Sequence, residues 1–448
     1  MPSLAIPNRT GSRFFRPRPA PPAVAPPRKA TDRRWDLLLA CIAIYILMAV
    51  GRFHQLFPFV NLVRPAVLFG ATAILLFMMD SRADRKVRLV LITPMRFLLA
   101  FAGWMMLSMV GALVLTNSFN LVIDNFLKTV IMSIVVACAV RGVRDVERLT
   151  LVYFASVTIY SVVVIARFSA VDEDGRMGDL YYYDANDFAT LVATALPLGL
   201  YFLHRARHFS GWLLALASLA VLTLAFVRSG SRGGFVAAIA VGIFVVLRYR
   251  AIPLRWRIGV TALVTLIVLG AAGAQYWSRM GTILSDEDYN RTHDSGRFKI
   301  WERGVGYMLR FPVLGVGPAN FATAEGTLSD MAERAQYGVG VRWNAAHNSY
   351  VQVGAETGVP GLVMYLAMIL TTFGALRAVT RRATGPANRH LRELASALTA
   401  SVIGFAVGAF FLSLAYQEMF FTLLALGVGL HKIARININQ EHQEHGAT

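Results

Sequence analysis

The chain has 448 residues, of which 56% are hydrophobic and only 16% charged, and its formal net charge is +18. Soluble domains carry about a quarter charged residues because charge covers their surface, so most of this surface faces something other than water. The mean hydropathy of +0.52 points to lipid, and the basic residues fall in short clusters between apolar runs, which excludes the continuous basic face of a nucleic-acid binder.

Residues 1–34 are basic and proline-rich (Arg16-Pro17-Arg18-Pro19, Pro21-Pro22, Pro26-Pro27) and contain no apolar core of a signal peptide. They are predicted to be a disordered cytoplasmic tail. A spanning helix needs about 20 apolar residues. Runs near 36–51, 63–79, 97–115, 122–140, 149–168, 187–203, 210–227, 234–248 and 257–276 predict nine helices within 35–276. Runs near 348–375, 394–413 and 416–433 predict three more within 348–433, followed by a short cytoplasmic tail, 434–448. The turn around Leu414 is very short and the run before Asp80 is weak, so the count is eleven or twelve. Cys41 and Cys138 lie inside apolar runs and read as small buried hydrophobes.

The loops alternate in charge. One set carries Arg82, Arg85, Lys86 and Arg88, then Arg141, Arg144 and Arg148, Arg205 and Arg207, Arg248 to Arg257, and Arg377 to Arg392. The intervening short loops carry few cations, as the positive-inside rule requires for a chain with both termini in the cytoplasm. Residues 277–347 then form one long polar extracytoplasmic loop, which crosses the membrane regardless of its charge. Inside it, 296–309 has a helical pattern with Phe298, Trp301, Val305 and Met308 on one face, so a small cap of amphipathic helices is predicted.

Four polar features fall at the outer ends of the helices. Arg228 and Arg232 flank Ser229-Gly230-Ser231 and precede Gly233-Gly234. Guanidinium forks and bare backbone N–H groups suit phosphate, and Arg232 opens a helix whose N-terminus favours an anion. A tight turn with arginines reaching lipid headgroups explains the same residues. Arg297 and Arg303 stand six apart and share no helical face, so at most one points at a given ligand; a solvated face is the plainer reading. His347, before a long apolar helix, can act as a general base near neutral pH. Asn348 or Ser349 also reads as a helix cap with His347 an incidental interfacial residue, and for an isolated histidine that is the plainer reading. Gln352 and Glu356, at i and i+4, can line a polar cavity, and Thr357-Gly358-Val359-Pro360-Gly361 should kink the helix and expose carbonyls. The acidic runs 172–174 and 286–288 lack ordered ligand spacing and read as solvated loop; no metal or cofactor is predicted.

In this order, the features carry a resemblance. Arg228 to Gly234, Gly296-Arg297 with Trp301, Leu314 to Gly317 with Asn320-Phe321, and His347-Asn348-Ser349-Tyr350 with Glu356, Gly358 and Gly361 resemble the O-antigen ligase and polymerase superfamily. Asp184 to Phe188 and Pro197 extend the likeness upstream. The resemblance implies an all-α polytopic membrane protein of the GT-C type, in a bacterial inner membrane, with its active site facing the periplasm. It implies a metal-independent, inverting glycosyltransferase that moves a glycan from undecaprenyl pyrophosphate to a lipid A–core or polysaccharide acceptor. On that reading Arg232, Arg297 and Arg228 bind pyrophosphate, His347 is catalytic, and Glu356, Gln352 and Asn348 orient or line the cavity. The expected partners are the carrier-linked donor, the acceptor and membrane lipids, and no nucleic acid. Three alternatives stay open: a repeat-unit polymerase, a protein glycosylase (disfavoured by the short C-terminal region), and a secondary transporter, for which no internal repeat is found.

Overall fold

The computed structural model describes residues 34–167, 183–284, 290, 293–330, 332, 344–386 and 388–445. The segment 1–33 and the acidic runs 172–174 and 286–288 lie outside these residues. Within the described residues the secondary structure is entirely helical. The long helices, in chain order, are α1 (Leu37–Gly51), α2 (Pro65–Met79), α3 (Thr93–Ser108), α4 (Leu127–Ala139), α5 (Val143–Arg167), α6 (Ala185–Arg205), α7 (Phe209–Ser229), α8 (Arg232–Arg248) and α9 (Leu254–Ala271). Three shorter helices follow, α10 (Ala274–Gly281), α11 (Arg297–Arg310) and α12 (Phe321–Thr327), before the final three, α13 (Ser349–Arg382), α14 (Arg389–Gly408) and α15 (Glu418–His445).

All twelve apolar runs are helical, but they are not equal. Nine helices among the described residues are long and apolar enough to cross a membrane. The expected count of about twelve is reached only by adding α1 and α2, of 15 residues each, and α8, of 17. At 1.5 Å per residue these fall short of a hydrocarbon core of about 30 Å. The last helix also overruns its expected end, continuing from 433 to His445.

Local chemistry sets the boundaries that matter for function. Gly230 closes α7 in the left-handed region (φ 58), and the Ser231 hydroxyl then accepts the Gly234 N–H to cap α8. Asp184 caps α6 by accepting the N–H groups of Asn186 and Asp187. Asn348 caps α13 by accepting those of Tyr350 and Val351. Each side chain satisfies donors that a helix start leaves without partners.

Contacts sort the connections between helices into two sets. One end of the bundle gathers residues near 80–90, 139–148, 201–205, 249–257 and 383–393. There Lys432 Nζ donates to the carbonyls of Asp84, Cys138 and Val140, and Tyr249 donates to the Glu393 carbonyl. The other end gathers residues near 50–52, 111–118, 184–187, 228–232, 274–284, 293–330, 344–347 and 409–418. These are the two loop sets that alternate in charge along the sequence.

The predicted break in α13 is real. Gly358 sits at φ 70 and ψ −176, and Pro360 lacks an N–H, so the carbonyls of Ala355, Glu356 and Thr357 are released from the helix ladder. They are taken up from outside. Val316 N–H donates to Ala355 (2.9 Å), Gly317 N–H to Glu356 (3.0 Å) and the Trp104 indole to Thr357 (2.9 Å). Val359 N–H in turn donates to Pro312 (2.8 Å). Gly315 must be glycine twice over, since its φ is +69 and a Cβ there would lie 2.4 Å from the Glu356 backbone.

The helical cap exists, with a correction. The buried face of α11 is Ile300, Gly304 and Tyr307, while Phe298 and Val305 of the expected face are 51% and 40% exposed. The reason is Gly304, where a Cβ would meet Val351 at 2.4 Å and Phe321 at 2.9 Å. Close approach of the helix outweighs the apolar stripe.

Candidate active site

Arg228 is exposed in the last turn of α7, and Arg232 is half-buried at the first position of α8. The Arg232 guanidinium donates to the Thr282 hydroxyl at 2.8 Å, which ties the α7–α8 turn to the start of the cap. Behind it the backbone packs without room for side chains: a Cβ on Gly233 would lie 2.7 Å from Phe411, and one on Gly234 2.4 Å from Ala189. The glycines therefore seat the arginine turn against α6 and the α14–α15 link. The tight-turn reading and the anion-site reading describe the same local structure.

The two cap arginines separate as their spacing requires. Arg303 is held by Glu325, with Nη2 at 2.6 Å and Nε at 3.0 Å from its carboxylate, and Tyr307 donates to the same carboxylate at 2.8 Å. Glu325 is 1% exposed, so this is a buried structural pair. Arg297, half-buried at the first position of α11, exerts its charge instead on His347 and on Asp187.

His347 sits at the centre of these connections. Its own φ is 47, a left-handed conformation that costs a non-glycine residue about 1 kcal/mol or more. The peptide preceding it is held at both ends. The Ala346 carbonyl accepts the Trp301 indole N–H at 3.0 Å, and the His347 N–H donates to the Ser413 hydroxyl at 2.9 Å. Trp301 itself packs edge-on against Phe410, with ring centroids 5.2 Å apart. Burial holds the imidazole below its ordinary pKa, the Arg297 charge pushes it further down, and Asp184 opposes both. The neutral form, which can accept a proton, is therefore favoured at neutral pH.

Glu356 is 1% exposed, enclosed by protein on every side that its hydrogen bonds define. Its carboxylate accepts the Tyr416 hydroxyl at 2.7 Å and the Phe321 N–H at 3.2 Å, with the Gln352 amide at 3.5 Å. It joins α13, the 312–320 turn with the start of α12, and the α14–α15 link. The Oε1 of Gln352 is buried with no hydrogen-bond partner, and Asn348 serves as the α13 cap. Asn320 latches the same turn to the segment between α3 and α4, through the Val114 N–H (3.1 Å) and Ser118 hydroxyl (2.9 Å).

Sequence reasoning missed Ser413, Tyr416, Glu325 and the charge of Asp184 on His347. Ser413 alone had a visible signal, as a hydroxyl in the short apolar turn around Leu414 at the same end of the bundle. Among the described residues no three His, Cys, Asp or Glu side chains gather as a metal site would require.

The chain is a multi-pass helical membrane protein whose arginine turn, cap helix and histidine lie at one end of the bundle. Residues 214–366 match the model of the O-antigen ligase family, Wzy_C. Over that segment, about a third of its length, the chain is similar to the O-antigen ligase family. No curated protein matches the chain.

Proposed function

We propose that the chain is an inverting, metal-independent glycan ligase of a bacterial inner membrane. It takes a glycan from undecaprenyl pyrophosphate on the periplasmic side and joins it to lipid A–core. The observation that carries this reading is that His347, gripped by Trp301 of the cap helix and by Ser413, lies within the electrostatic reach of Arg297 inside the matched segment. In the reaction the acceptor hydroxyl oxygen attacks the anomeric carbon from the face opposite the leaving group and gives its proton to His347. The bond from the anomeric carbon to the pyrophosphate oxygen breaks, and the electron pair leaves with the pyrophosphate. Arg232 and Arg297, with Arg228 at the rim, stabilise the charge that develops there. Glu356 and Asn348 hold the α13 start and its neighbouring turn, and Gln352 stands beside the carboxylate.

An apolar cleft of about 590 Å³ supports the carrier assignment. It lies between α6, α7, α8 and α9, lined by Leu196, Pro197, Phe226, Phe235, Val264 and Trp277, and rises towards the arginine turn. Such a lining suits an isoprenoid chain whose pyrophosphate is held above it. The topology that follows has both termini in the cytoplasm, twelve membrane-embedded helices and residues 277–347 as the periplasmic loop. A repeat-unit polymerase would use the same chemistry on a polysaccharide acceptor. The glycan profile of a deletion strain separates them. Free lipid A–core beside carrier-linked polymer is the expected result, whereas loss of polymer with single repeats remaining would replace the ligase by a polymerase. An unchanged envelope with altered solute uptake would favour the transporter reading.

A further inference from the structure

The peptide bond between Ala346 and His347 is gripped from two directions by side chains that belong to neither α13 nor each other. Its carbonyl is held by Trp301 of the cap helix, and its N–H by Ser413 of the α14–α15 link. Both groups are themselves fixed. Trp301 lies against Phe410, and Ser413 is bracketed by two bonds to a single hydroxyl: Ser349 Oγ donates to the Leu412 carbonyl (2.7 Å) and accepts the Leu414 N–H (2.8 Å). Immediately after the gripped peptide the chain turns through the left-handed φ of His347, and one residue later the Asn348 cap starts α13. A histidine does not adopt that conformation without surrounding structure that imposes it. The direction of the imidazole thus depends on the plane of one peptide, and two distant side chains set that plane.

We infer that Trp301 and Ser413 are positioning residues for His347, acting together as a clamp that holds its backbone in the left-handed conformation. This rests on the reading of His347 as the base that accepts the acceptor proton. Neither clamp residue touches the reacting atoms; each acts through the peptide it holds. Loss of either hydrogen bond releases the peptide to rotate, and the imidazole moves out of reach of the hydroxyl. Misplacement by about 1 Å is enough to cost on the order of 100-fold in rate.

The test uses the full-length chain in lipid vesicles, turning over undecaprenyl-pyrophosphate-linked glycan extracted with its acceptor from the host membrane. Ser413→Ala and Trp301→Phe should each lower kcat by about 10- to 100-fold and leave the donor KM within about twofold. Ser413→Thr, which keeps the hydroxyl, should restore most of the rate. In a His347→Ala background neither substitution should lower the residual rate further, a result that a general loss of structure would not give. A Ser413→Ala enzyme with undiminished kcat overturns the clamp, as does one whose loss is equal with and without His347. If Ser413→Ala and Ser413→Thr both fail to accumulate, Trp301→Phe carries the same comparison alone. His347→Ala at full turnover would instead sink the underlying reading, while inactive His347→Ala beside undiminished clamp variants sinks the clamp only.

Discussion

At the end of the bundle that gathers residues 80–90, 139–148 and 383–393, cations close the protein. Arg85 is 2% exposed and bonds the Ala139 carbonyl and Asp80; Arg141 pairs with Asp145 at 2.7 Å; Arg389 pairs with Glu393 at 2.6 Å. Lys432 holds three carbonyls at the end of α4 and beside it, where a helix C-terminus favours positive charge. At the opposite end some cations do the same work, as Arg52 does with Glu418 (2.8 Å) and Arg303 with Glu325. Arg232 differs, because its guanidinium meets a neutral hydroxyl, and Arg297 differs because its charge bears on a histidine. An arginine beside a carboxylate is a strut. The two arginines of α11, six residues apart, thus face different groups: Arg303 a buried carboxylate, and Arg297 the charge environment of His347 and Asp187.

The contrast can be broken most directly at the reacting groups. His347→Ala and Arg232→Ala should each lower glycan transfer by about 1,000-fold in buffer containing EDTA, with the unfolding temperature unchanged. Either variant turning over near the parent rate would erase the distinction between strut and site. Next in size is Arg303→Met, which leaves the buried Glu325 carboxylate without its partner and should cost about 3 kcal/mol of stability. Unfolding temperature and protease resistance would register this, while kcat of the folded fraction stays within a few-fold. A stable Arg303→Met protein with crippled kcat would move Arg303 into the site.

The smallest effect is on pH. The depressed pKa of His347 keeps it neutral down past about 6.5, so turnover should hold there and fall only at more acid pH as the imidazole protonates. Asp184 pulls the other way, so Asp184→Asn, which still caps α6, should shift that acid limb to lower pH. A limb that stays in place or moves upward would remove Asp184 from the electrostatic surroundings of His347.

Much of this was readable in order along the chain because membrane helices announce themselves locally. Apolar runs, arginine-bearing loops and the Gly358–Pro360 break each depend on neighbours in sequence. Most of the failures are of another kind. The face of α11 was misassigned because Gly304 makes room for Val351, 47 positions on, and a missing side chain outweighed the visible apolar stripe. Glu325, Ser413 and Tyr416 carry no motif, and their roles come from partners 22, 66 and 60 residues away. Span length misled for α1, α2 and α8, since hydropathy reports which residues avoid water and says little about how far a helix extends.

The broken helix α13 has a consequence for biogenesis and for exchange between relatives. Three carbonyls of α13 find their donors outside it, two of them in the 312–317 turn of the long loop. On the proposed topology, insertion of the helix precedes completion of its own hydrogen bonding, which waits until the loop folds back onto it. The loop is not a removable ornament. A chimera that transplants the cap must take residues 312–317 and the Ala355–Gly358 break together, or leave peptide groups bare where water is scarce.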